Sequence, residues 1–141
     1  MAAKFDVVYA FEPHPDTFEA LKENVKHLPN VRCIHAFLGD KGGTAGVEGI
    51  GFGCYLKRSG NIPVVTIDSL NVKPGFIKLD VEGYEAHALM GAKETLKHRP
   101  VVMFEDKHWK RYGAKHPVTY LRGYVEVGRV HKDRIFTHDG R

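Results

Sequence analysis

The sequence predicts an open, mostly parallel α/β sheet that ends in an antiparallel hairpin. Three observations predict it. Short apolar runs alternate with segments of helical periodicity, the order of βαβ units. The first run is apolar throughout instead of alternating, as in a strand buried on both faces. The last two β-rich runs stand only three residues apart, too close for a crossover but suited to a hairpin.

The elements follow in order. Asp6 to Phe11 is the first strand, stopped by Pro13 and Pro15. A helix starts at about Asp16, with Pro15 or Asp16 at the cap or first turn. Phe18, Leu21, Val25 and Leu28 form its apolar stripe, and Pro29-Asn30 ends it. Val31 to Phe37 is the second strand. Residues 39–60 contain eight glycines, too many for a helix, and suit either tight β-turns or a mobile loop. They lack the spacing of a phosphate-binding loop. Strands are expected over 63–67 and 75–80, a helix over 84–97 with Ala88, Leu89, Ala92 and Leu96 inward, and a strand over 100–105. A short helix closes at Val118–Leu121, and strands over 124–130 and 134–137 complete a single domain of 141 residues.

Bulk properties exclude several classes. Apolar residues are 43% and charged residues 27%, as in a soluble globular chain. No apolar run reaches the ~18 residues of a membrane span. The N-terminus carries no signal-peptide core, so a cytoplasmic location is expected. Cys33 and Cys54 have no metal-ligand spacing and are read as free thiols. The net charge of +4 is spread along the chain, with His108-Trp109-Lys110-Arg111-Tyr112 the nearest thing to a basic-aromatic stripe. Nucleic acid is therefore not the expected partner.

Ligands of open α/β sheets bind at the carboxyl ends of the strands. Here those ends carry acids: Glu12, Asp40, Asp80 with Glu82, and Glu105. Glu12 suits the diol of a ribose or a helix cap. Asp40 suits an exocyclic amine or an ordinary turn. Asp80-Val81-Glu82-Gly83-Tyr84-Glu85 is the densest motif, with three carboxylates in six residues. It could hold a hard metal ion, face a cationic cofactor, or place acids at a helix N-terminus. Gly83 permits close backbone approach. His108 follows Glu105 by three residues and is a candidate general base, although a surface position is the blander alternative.

The motifs together resemble the FkbM-type methyltransferase family. Val8-Tyr9-Ala10-Phe11-Glu12-Pro13, with Phe18, Leu21 and Asn24 after it, is similar to the family's second-strand motif. Val65-Thr66-Ile67-Asp68-Ser69-Leu70 resembles its T-x-D-x-L segment. Ile77 to Glu85 resembles its IKxDVEGxE signature, followed by Leu89, Gly91-Ala92 and Leu96. The resemblance spans residues 6–105 and continues weakly to Gly123-Tyr124. It implies a Rossmann-like sheet of the class I methyltransferase type and methyl transfer from S-adenosylmethionine to a hydroxyl of a small molecule or sugar. It implies Glu12 at the ribose hydroxyls, Asp40 near the adenine and Asp80 at the methyl-transfer centre. From the residues themselves, Glu82 and Gly83 are added as expected cofactor-binding positions and Glu105 and His108 as expected catalytic ones beside Asp80, with no metal expected.

One departure from the family stands out. The strand that opens the family fold, with its acidic-glycine motif, has no counterpart before Phe5, and Met1–Lys4 reads as a remnant of the helix after it. The expectation is an N-terminally truncated domain, with two strands left short of a neighbour. A homodimer, or a partner filling the gap, would restore the pairing. The alternatives are a non-catalytic remnant that binds or dimerises and, ranked last, a metal-dependent hydrolase on Asp80, Glu82, Glu85 and Glu105.

Overall fold

The computed structural model describes residues 4–49 and 55–139 and is mixed α/β. The chain forms two compact units: residues 1–37 with 43–64, and residues 38–42 with 65–141.

In the first unit, β1 (Val8–Phe11) pairs in parallel with β2 (Val31–Ile34) across α1 (Pro15–Val25). Pro15 opens α1, where its missing N–H costs nothing, and Asp16 lies in the positive first turn. The stripe of Phe18, Leu21, Val25 and Leu28 is half-buried. So is every residue of β1, against the expected burial on both faces. Among the described residues its sheet has two strands. The strand predicted over 31–37 breaks at His35, whose ring stacks on Phe18 at 4.8 Å and hydrogen-bonds the Pro13 carbonyl at 2.9 Å. A separate short strand, β3 (Phe37–Leu38), follows.

The glycine-rich segment contains β4 (Gly43–Glu48), which pairs antiparallel with β5 (Tyr55–Val65) through a bulge at Ala45/Gly46. The sheet order is β3-β5-β4. The strand expected over 63–67 is thus the end of a longer one. Ala45, Ile62 and Phe37 form a small core flanked by Val47, Leu56 and Val64. Cys33 is a free, half-buried thiol. Cys54, Gly51, Gly53 and most of the supposed Met1–Lys4 remnant lie outside the described residues.

The second unit has β6 (Phe76–Leu79), α2 (Glu85–Met90), α3 (Lys93–Leu96), β7 (Val101–Glu105), β8 (Tyr124–Val130) and β9 (Asp133–His138). Its sheet runs β6-β7-β9-β8. Only β6 and β7 are parallel there, while β9 is antiparallel to both neighbours and forms the predicted hairpin with β8. Among the described residues, β1–β2 and β6–β7 pair in parallel. Among the described residues β1 pairs with β2 alone and β6 with β7 alone.

Leu79, Ala86, Ala88, Leu89, Ala92, Val102 and Phe104 are at most 1% exposed, and Phe104 stacks on Phe136 at 5.3 Å. The helix predicted over 84–97 is two helices. The site of a Cβ on Gly91 lies 2.0 Å from the Gly39 carbonyl oxygen, so the loop at Gly39 packs where the helix would continue. Asp68 then holds the new start. Its Oδ1 accepts from the Thr95 amide at 2.8 Å and the Thr95 hydroxyl at 2.7 Å, and its Oδ2 from the Glu94 amide at 3.1 Å.

Candidate functional site

The parallel register of β6 and β7 sets Leu79 beside Phe104, so the next residues, Asp80 and Glu105, emerge side by side at the carboxyl ends of the two strands. Glu82 turns back toward them. One carboxylate oxygen from each of Asp80, Glu82 and Glu105 lies within 4.8 Å of the others. Three oxygen donors this close suit a hard cation or a positively charged organic group. Two lysines temper the charge. Lys78 Nζ lies 3.3 Å from Asp80 and 3.5 Å from Asp133, and Lys107 Nζ lies 3.9 Å from Glu82.

The loop carrying Asp80 and Glu82 is held from inside by Glu85. This side chain is fully buried. Its Oε1 accepts from the Val81 amide at 3.0 Å and the Gly83 amide at 3.3 Å, while Oε2 has no partner among the described residues. Burial pushes its carboxyl above the usual range, against the lowering effect of the amides. Glu85 is therefore the loop's internal anchor and stands apart from the open cluster.

From outside, the loop is clamped by residues 108–111. Gly83 has φ +100°, and a Cβ there would stand 2.6 Å from the His108 carbonyl oxygen. Glycine is required for both the backbone angle and the contact. Arg111 donates to the Glu82 carbonyl at 3.1 Å. His108 thus meets the rim through its main chain, and the residue is exposed.

Asp40 is exposed. Its charge acts on Tyr84 and His87, whose rings stack at 4.1 Å and 5° while Tyr112 meets Tyr84 edge-on at 5.0 Å. Burial, then the Asp40 charge, raises the Tyr84 phenol. Burial lowers His87, with Asp40 opposing, so the imidazole is neutral at pH 7. Sequence reasoning missed this flat aromatic surface. The i, i+3 spacing of Tyr84 and His87 at a helix start was its one available signal.

Glu12 lies in the first unit, where its Oε1 accepts from the His14 amide at 2.8 Å and braces the turn into α1. The second unit thus brings Asp80, Glu82 and Glu105 into one cluster, packs Gly83 against His108, and sets Asp40 beside Tyr84 and His87.

Comparison with known proteins bears on this arrangement. The pattern of the family described as methyltransferase FkbM domain matches residues 1–131. The hexuronic acid methyltransferase AglP of Haloferax volcanii is 30% identical over 110 residues, 70% of this chain and 46% of that protein. The crystal structure of methyltransferase FkbM from Methylobacillus flagellatus KT superposes with a TM-score of 0.63 at 19% identity, over 94% of this chain and 36% of the other. This chain therefore spans less than half the length of either protein. No helix among the described residues is long and apolar enough to cross a membrane.

Proposed function

We propose that this chain, which belongs to the methyltransferase FkbM domain family, takes part in methyl transfer from S-adenosylmethionine to a hydroxyl oxygen of a sugar. The observation that carries this reading is the convergence of Asp80, Glu82 and Glu105 at the ends of two parallel strands. Asp80, Glu82, Glu105 and Asp133 against Lys78, Lys107 and Arg111 leave the rim net negative. That charge suits the ammonium and sulfonium of the cofactor. The bound cofactor would supply an electrophilic methyl carbon on a positively charged sulfur.

The chain's own residues then divide the work. Asp40 accepts from the adenine amine beside the Tyr84–His87 surface. Asp80 and Glu82 line the cationic end, with the Gly83 backbone against it. Glu105 or His108 receives the proton of the acceptor hydroxyl. A strand from a second copy or a partner would pair at one ladder edge, that of β1 or that of β6. The sugar class follows from the hexuronic acid methyltransferase relative.

The test is label transfer from methyl-labelled S-adenosylmethionine to oligosaccharides containing a hexuronic acid. Transfer that Asp80→Asn abolishes supports the reading. Cofactor binding without transfer to any sugar would remove the acceptor class, and failure to bind the cofactor at millimolar concentration would remove the activity.

A further inference from the structure

The second unit has a cavity of about 860 Å³ whose lining carries five cations, Lys93, Lys97, Arg99, Lys115 and Arg122, and no acid. It lies at the opposite end of the sheet from the carboxylate rim. The start of β9, Asp133, pairs with Glu105, whereas the cavity is lined by the end of β9, His138, and the start of β8, Tyr124. Five residue steps of strand separate the two ends of β9, roughly 17 Å.

Some of these charges are balanced. Lys97 pairs with Glu94 at 2.6 Å and Arg99 with Asp139 at 3.3 Å. Lys93, Lys115 and Arg122 have no acid within ion-pair distance among the described residues. They come from α3 and from the segment before β8, so the fold gathers like charges that repel one another unless an anion lies between them.

The Tyr124 ring lines the hollow, while its hydroxyl is shut off from solvent. Burial pushes the phenol up to about 12, with Arg99 opposing. Leu89 and Tyr120 add an apolar part to the lining. A hollow of this volume is the size of a small-molecule pocket.

We propose that this cavity binds a small oligoanion of the diphosphate class, through the ammonium and guanidinium groups of Lys93, Lys115 and Arg122. The site is separate from the methyl-transfer rim, and its test does not depend on methyl transfer.

The experiment is titration calorimetry of the full chain with inorganic pyrophosphate, orthophosphate and a single-stranded oligonucleotide at low salt, with melting curves of every variant alongside. Pyrophosphate is expected to bind one-to-one, more tightly than orthophosphate, and to raise the melting temperature. Lys93→Ala, Lys115→Ala and Arg122→Ala change exposed side chains. Each should weaken pyrophosphate about ten-fold, the loss of one charged hydrogen bond, at an unchanged melting temperature. Tyr124→Phe, which removes a hydroxyl shut off from the hollow, should leave pyrophosphate affinity unchanged. The proposal is overturned by no pyrophosphate binding at 10 mM, to order of magnitude the weakest specific affinity of interest. It is also overturned by binding that all three alanine variants leave unchanged, or by tighter binding of the oligonucleotide than of pyrophosphate, which would make the face a nucleic-acid surface.

Discussion

Replacing Glu85 separates two roles that a buried acid can have. Its Oε1 accepts from two amides of the loop that carries Asp80 and Glu82, and the side chain is fully buried. Glu85→Ala orphans a buried Gly83 amide and a partly buried Val81 amide and removes a packed methylene. At ~1–3 kcal/mol for a buried amide, less for the shielded one, and ~0.8 kcal/mol for the methylene, the expected loss is about 2–4 kcal/mol. For a domain of this size that is roughly 6–12 °C of melting temperature. Glu85→Gln keeps the acceptor and removes the charge.

Burial lifts the Glu85 carboxyl above its ordinary value, so the folded state holds the proton more tightly than the unfolded one. Its contribution to stability is full below the unfolded value and is lost as the pH rises through the folded pKa. Glu85→Gln should therefore match or exceed the parent at about pH 8 and flatten the decline above about pH 5. Urea unfolding followed by the single tryptophan, Trp109, reads both effects. An alanine variant within about 0.5 kcal/mol of the parent, or a glutamine variant as damaged as alanine, would refute the anchoring role.

Other perturbations test the neighbouring contacts. Asp68→Ala removes the three hydrogen bonds at the start of α3 and should cost ~1–2 kcal/mol in urea unfolding. Burial raises the Asp68 carboxyl, but the bonds from Thr95, Glu94 and Lys93 outweigh it and hold the pKa low. Its stabilisation should thus persist above the unfolded value and vanish as acid titrates the folded group. His87 behaves in the same sense at higher pH. Its lowered pKa makes its share of stability full above about pH 6.5 and lost as the pH falls through the folded value, and His87→Gln should reduce that slope in parallel urea curves. Gly83→Ala, opposed by φ +100° and the His108 carbonyl, should cost ~1–3 kcal/mol and weaken cofactor binding measured by calorimetry.

Much of this architecture was legible because it is local. The prolines that stop β1 and start α1, the apolar run of β7 and the close spacing of β8 and β9 are short-range signals. The meeting of Asp80 with Glu105 was also readable, because parallel neighbours deliver their ends to one edge. What the sequence hid depends on packing. Asp80, Glu82 and Glu85 look alike in a string of acids, and only burial makes Glu85 an anchor and leaves the others at an open rim. The break at Gly91 follows from a carbonyl fifty-two positions away in sequence, at Gly39. The half-burial of β1 reflects its neighbours rather than its own composition. The Tyr84–His87–Tyr112 cluster joins a helix start to a turn far along the chain, which no periodicity announces.

The most direct test is calorimetric titration of the full chain with S-adenosylhomocysteine, the demethylated product, beside Asp80→Asn and the doubly substituted Asp80→Asn/Glu82→Gln. Saturable one-to-one binding by the parent, weakened about ten-fold or more by each removal of rim charge in a folded variant, is the predicted result. Equal affinity for the parent and the double variant would contradict the claim that this rim holds the cofactor.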